Sequence, residues 1–182
     1  MLLGVWNGGE MLVLSLYFQQ VLHDSPLMTG LAIAPQGVVG FTAGVFGPRL
    51  AAKMGIRRLL ILTGAATAVG FAVLTRLPAV GYSPILLIVM LIGFGTAGTA
   101  FGSTVIASRG MADADQGLVG GMINTSRQIA AAVGAALLPA VAQTVAGVAG
   151  DRAAMLAAAV AALAATAVAW HAAHPALRSR PA

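Results

Sequence analysis

Cysteine is absent from the chain, which excludes disulfides, thiolate metal sites and cysteine nucleophiles. Charge is scarce. Ten Lys or Arg and five Asp or Glu make up 8% of 182 residues, where a soluble domain carries about 25%. So few polar groups cannot cover the surface of a soluble protein of this size. A soluble enzyme, a disordered chain and a secreted disulfide scaffold are excluded together. Aromatic residues are few as well, at 5%. What is abundant is apolar: 59% of the residues, with a mean hydropathy of +0.91. The surface that water cannot take therefore faces lipid. The net charge of +5 and the pI of 11.2 would suggest nucleic acid in a soluble chain. Here the charges are too few to track phosphates, and no nucleic-acid partner is expected. The balance reads as positive-inside bias at a membrane.

The rare charges punctuate the chain. Residues 25–48, 77–108, 128–150 and 153–177 hold none, counting histidine as neutral. A spanning helix needs about 20 mostly apolar residues. The intervals divide into six spans, about 2–22, 29–48, 58–76, 84–107, 118–143 and 153–173. They form an all-α, polytopic bundle over residues 1–174, followed by a short basic tail at 175–182. Ser25-Pro26 and Ser83-Pro84 each place a capping hydroxyl before a proline suited to a first helical turn. Pro35 and Pro139 lie inside spans, where neighbouring helices can re-satisfy the freed backbone groups. The start does not read as a signal peptide: no basic segment precedes the apolar run, and Glu10 interrupts it. Alternating spans put Arg49, Lys53, Arg57, Arg58, Arg109, Arg178 and Arg180 on one side and only Arg76 and Arg152 on the other. That split places both termini in the cytoplasm of a plasma (inner) membrane protein. Tyr17, Tyr82 and Trp170 fall near the expected interfaces.

Glycines recur on helix faces. Gly37, Gly40, Gly44 and Gly47 share one face, and Gly95, Gly98 and Gly102 share another. Small residues let helix backbones approach closely in lipid, for static packing or for sliding. Gly93-Phe-Gly95-Thr-Ala-Gly98 matches a dinucleotide-binding pattern, but that fingerprint requires a strand–turn–helix in a βαβ unit. Here it lies midway along a membrane-length stretch, so no nucleotide and no cofactor is expected.

Glu10 sits in the middle of the first span, where an ionisable group costs about 2.5–3.5 kcal/mol on insertion scales. Such a group faces a cavity or a partner. Two readings stand: a proton-titrating or cation-binding carboxylate, or a neutral Glu in a structural hydrogen bond. Asn7, one turn earlier, lies on the same face. Arg127 is the second such residue, flanked by Asn124 and Gln128. Gly120, Asn124, Arg127 and Ala131 fall on one side of the fifth helix. Arg127 reads as a structural or gating residue, or as a direct substrate contact. His171 and His174 lack a carboxylate partner, which argues against a metal. Asp113 and Asp115 lie in a loop, and His23 with Asp24 forms a turn. No Ser–His–Asp or metalloprotease spacing occurs, so no enzyme chemistry is expected.

The run Gly47-Pro-Arg49-Leu-Ala-Ala-Lys53-Met-Gly55-Ile-Arg57-Arg58 resembles the signature loop of the major facilitator superfamily. In that family a cytoplasmic loop joins the second and third helices of a six-helix half. Residues 16–22, Leu-Tyr-Phe-Gln-Gln-Val-Leu, followed by Ser25-Pro26 and Gly30, resemble its fourteen-helix drug:proton antiporter group. So does Gly120-Gly121-Met-Ile-Asn124-Thr-Ser-Arg127-Gln128. The resemblance runs along essentially the whole chain and is to the C-terminal half. It implies a transporter working by alternating access of two bundles about a midplane site. Its business would be proton-coupled multidrug efflux of lipophilic, often cationic, small molecules. The partners implied are the bilayer, substrate and protons, and the N-terminal six- or eight-helix portion of the same transporter or a second copy. The family's loop carries an aspartate where this chain has Ala52, which leaves Arg49, Lys53, Arg57 and Arg58 as topological anchors. The inverted repeat expected within a half is faint, its best trace being the two Ser-Pro starts. Other readings of the chain are a truncated, non-transporting membrane fragment or interaction partner, favoured by Met1 at the edge of a helix, and a homodimeric half-transporter.

Overall fold

A computed structural model describes residues 2–76, 82–108, 111–112, 115–144 and 148–173, with side chains there except 2–7, 82–84, 86, 169, 170, 172 and 173. Among the described residues there are six α-helices and no strand: α1 (Leu2–Leu16), α2 (Pro26–Met54), α3 (Ile56–Leu74), α4 (Tyr82–Ala107), α5 (Gln116–Gln143) and α6 (Val148–Ala173). A π-helical turn, Tyr17–Val21, continues α1 without a break. Five of the helices, α2 to α6, are long and apolar enough to cross a membrane. The first reaches membrane length with its π turn. The chain is thus an all-helical, multi-pass membrane protein.

The helix ends follow from local chemistry. Ser25 Oγ accepts the Met28 backbone N–H at 3.3 Å, and Pro26 occupies the first turn. α2 runs 29 residues, about 43 Å at a rise of about 1.5 Å per residue, against a hydrocarbon core of about 30 Å. It therefore continues past the expected end at residue 48, through Arg49 and Lys53. Nothing stops it until Gly55, at φ 82° and ψ 149°, a backbone region open essentially to glycine alone. α3 starts at the next residue. The signature run is thus two helix ends joined by one glycine.

Glycine contacts give the helix directions. Gly40 lies against Gly93 and Ala97, and Gly47 against Phe101, so α2 and α4 run parallel. Gly8 meets Ala131 and Gly9 meets Gly134 and Leu138, so α1 and α5 also run parallel. Gly95, Gly98 and Gly102 meet Thr67, Thr63 and Leu60 in turn, so α3 and α4 are antiparallel. In an inverted repeat equating α1–α3 with α4–α6, the α1–α5 pair is the counterpart of the α4–α2 pair. The repeat is thus plain in the packing. The Ser-Pro starts are not its trace, because they mark α2 and α4, which are not equivalent under it.

The two parallel pairs touch each other sparingly and are joined through α3 and α6. The apolar core lies between α1, α3, α4 and α6: Leu14, Tyr17, Phe18, Phe71, Ile92 and Met155 are each essentially inaccessible. Tyr17 is therefore not an interface anchor. In the π turn Tyr17 and its neighbour Phe18 are both buried, their rings edge to face at 5.9 Å. The side chains of Tyr82 and Trp170 lie outside the described residues. α2 and α5 bury little: Phe41, Leu31, Leu118 and Leu137 are all more than half exposed.

Candidate functional site

The seam between the two parallel pairs holds the most unusual chemistry of the bundle. Glu10 on α1 is fully buried. Its Oε1 accepts a hydrogen bond from Gln36 Nε2 on α2 at 3.0 Å. Gln36 is itself 6% exposed. Two atoms of this pair, Glu10 Oε2 and Gln36 Oε1, are buried without a hydrogen-bond partner. An unpaired buried polar atom costs about 1–3 kcal/mol, so this pair is held in place by its surroundings. Glycines pack each partner closely within its own parallel pair. Gly9 beside Glu10 leaves no room for a side chain against α5, and Gly93 lies on the Gln36 backbone. Pro35, just before Gln36, removes an N–H from the α2 ladder at the same level.

Gln36 also forms part of the wall of a cavity of 330 Å³, together with Thr96 of α4 and Arg127, Gln128 and Ala131 of α5. Arg127 is partly buried and has no ion-pair partner among the described residues. It also lines a second, more apolar cavity of 570 Å³ with Ser103, Ala107, Met111 and Met122. The guanidinium thus stands between two spaces, one at the seam and one nearer the start of α5. A Thr pair braces the wall behind: Thr99 Oγ1 lies 2.9 Å from Thr63 Oγ1 and 2.7 Å from the Gly95 carbonyl.

The expected site residues divide in the structure. Glu10 is brought to the seam through Gln36, and Arg127 with Gln128 meets Gln36 at the cavity. Asn124 is exposed and lines neither cavity. The side chain of Asn7 lies outside the described residues. Of the signature run, Gly47 is buried against Phe101. Arg49 is exposed, its guanidinium carbon 5.5 Å from the centre of the Phe46 ring. Lys53, Gly55 and Arg58 are exposed and Arg57 is partly buried. Ala52 is exposed. Arg109, Asp113, His174, Arg178 and Arg180 lie outside the described residues. Gln36 escaped the sequence reading. Its one signal was an amide side chain, the only one in the span, between Pro35 and Gly37. The Gly93–Gly98 pattern is helical throughout and packs on α2 and α3, so it is a packing device. Among the described residues no group of three or more His, Asp or Glu is placed to hold a metal.

A family model described as Major Facilitator Superfamily matches residues 1–135. The puromycin resistance protein pur8 of Streptomyces alboniger is 31% identical over 138 residues, which cover 73% of this chain and 27% of that protein. The chain spans about a quarter of the length of this curated relative. No solved structure matches this chain.

Proposed function

The chain belongs to the major facilitator superfamily, whose members are transporters and not enzymes, and from that premise we propose that it is the C-terminal six-helix half of a drug:proton antiporter of the fourteen-helix group. The transported compounds are lipophilic small molecules, often cationic. The observation that carries this reading is Glu10, a buried carboxylate hydrogen-bonded to a residue of the cavity wall. A carboxylate in the membrane interior is a functional group by default, and beside a cavity it can take up and release a proton. The resistance named for the relative supports a drug as cargo. The exposed apolar faces of α2 and α5 support a second bundle, either the N-terminal portion of the same transporter or another copy. The basic residues at the α2–α3 junction support cytoplasmic termini in a plasma membrane protein.

Transport is tested by deleting the gene and measuring puromycin accumulation in energised cells. The deletion strain accumulates more than the parent, and an uncoupler abolishes the difference. Complementation with the wild-type gene restores efflux, whereas Glu10→Gln restores at most a tenth of it. Equal accumulation with and without the gene, for puromycin and for a panel of lipophilic cations, would sink the efflux reading. Full efflux by Glu10→Gln would remove the carboxylate from the coupling.

A further inference from the structure

The two unpartnered atoms at the seam belong to one hydrogen-bonded pair, and their chemistry is complementary to a single proton. An ionised carboxylate is an acceptor only, and an amide oxygen is also an acceptor. Glu10 Oε2 and Gln36 Oε1 therefore cannot satisfy each other while Glu10 is charged. A proton on Oε2 changes this. The protonated carboxyl becomes a donor toward Gln36 Oε1 while its Oε1 still accepts from Gln36 Nε2. The result is a closed acid–amide ring with two antiparallel hydrogen bonds, and neither atom is left without a partner.

The position of the pair gives this ring a mechanical consequence. Glu10 belongs to the α1–α5 pair and Gln36 to the α2–α4 pair, and these pairs touch sparingly elsewhere. We propose that Glu10 and Gln36 together form a one-proton binding site that locks the two parallel helix pairs across the seam, with Gln36 the positioning residue that turns protonation into closure of the adjoining cavity. This rests on the transport reading above and supplies its coupling element. Loss of the proton to water in the cavity sets two acceptors against each other, and the seam opens on the side where Gln36 forms the wall.

The charged groups around the pair are few. Arg127 of α5 lines the cavity that Gln36 borders, and Glu10 does not line it. α4 carries no charged residue. Asp151 and Arg152 lie at the start of α6, near Tyr17 and about two turns of α1 away from Glu10. Arg49 and Lys53 lie more than three turns further along α2. None of these groups replaces the proton between Glu10 and Gln36.

The absence of cysteine allows clean spin labelling. Cysteines at Phe41 on α2 and Leu137 on α5, both exposed, report the separation of the two pairs by electron–electron double resonance on the chain in lipid nanodiscs. The separation grows by a few ångströms between acidic and alkaline pH. In Glu10→Gln, two amides form the same ring without a titrating group, so the short distance holds at every pH. In Gln36→Met the ring cannot form, and the distance is long at every pH. A distance that ignores pH in the labelled parent overturns the lock, and so does a pH shift that survives in Glu10→Gln. If the distance is fixed while Glu10→Gln still abolishes efflux, the lock fails and the transport reading stands. If the distance responds as described but the gene confers no efflux, the transport reading fails instead.

Discussion

At the scale of single residues, Glu10 and Gln36 form the buried polar pair of the seam and Gly55 carries the turn between α2 and α3. Gly55 has φ 82° with open space where a Cβ would go, so its demand is purely conformational. Gly55→Ala is expected to cost about 1–3 kcal/mol, the usual strain of a non-glycine residue in this backbone region. A thermal unfolding series in detergent micelles measures it, and an unchanged midpoint would show that the α2–α3 junction relaxes freely. The Thr99–Thr63 contact is a smaller matter. Interhelical hydrogen bonds in membranes average about 0.6 kcal/mol, so Thr99→Val should be nearly silent in the same series. Of these residues, Glu10 was legible in the sequence because a carboxylate stands out in an apolar span. Gln36 was not, because nothing in a one-dimensional pattern says which polar side chain will face it.

Among the helices, glycine has two distinct uses. Gly95 on α4 faces α3, where a Cβ would come within 2.5 Å of the Thr63 carbonyl oxygen and 2.8 Å of the Thr67 nitrogen. Backbone atoms cannot step aside, so the helices must separate. Gly121 on α5 has nothing within 4 Å. Gly95→Ala should lower stability by about 1–3 kcal/mol, as overpacking does, and Gly121→Ala should leave it unchanged. Fluorescence-detected size-exclusion chromatography after heating separates the two outcomes; equal losses would contradict the packing described for α3 and α4. The π turn is another element-scale device. It buries Tyr17 and Phe18 side by side, which a regular helix, advancing about 100° per residue, does less readily. The sequence showed an aromatic near a helix end and suggested an interface.

For the whole molecule, the open faces of α2 and α5 are the main feature. Glycines with empty space in front of them, Gly30, Gly37 and Gly44 on α2 and Gly117, Gly120 and Gly121 on α5, lie on helices that bury little of their surface. If a second bundle packs there, Gly121→Leu leaves the stability of the purified chain intact yet lowers efflux in cells at least tenfold. Wild-type efflux from that variant would place the second bundle elsewhere. A C-terminal tag at the native locus separates the proposed partners for a second bundle. A band well above twice the chain's 18.2 kDa means one long transporter. A band near 18.2 kDa means a half that stands alone, and transport then requires a separate partner or a second copy; an unpaired monomer would end the transporter reading.

The amino-acid sequence alone determined that this protein is helical and membrane-embedded, because 8% charge and long uncharged intervals leave lipid as the only solvent that fits. It also marked Glu10 and Arg127, since burying charge is costly and so conspicuous. Only the tertiary structure decided that α1 pairs with α5 and α4 with α2, that Asn124 stays outside the cavity, and that Gln36 closes on Glu10. Those outcomes depend on which helix faces meet, and helix faces meet through close backbone contacts at Gly8, Gly9, Gly93 and Gly95 that join residues far apart in the chain.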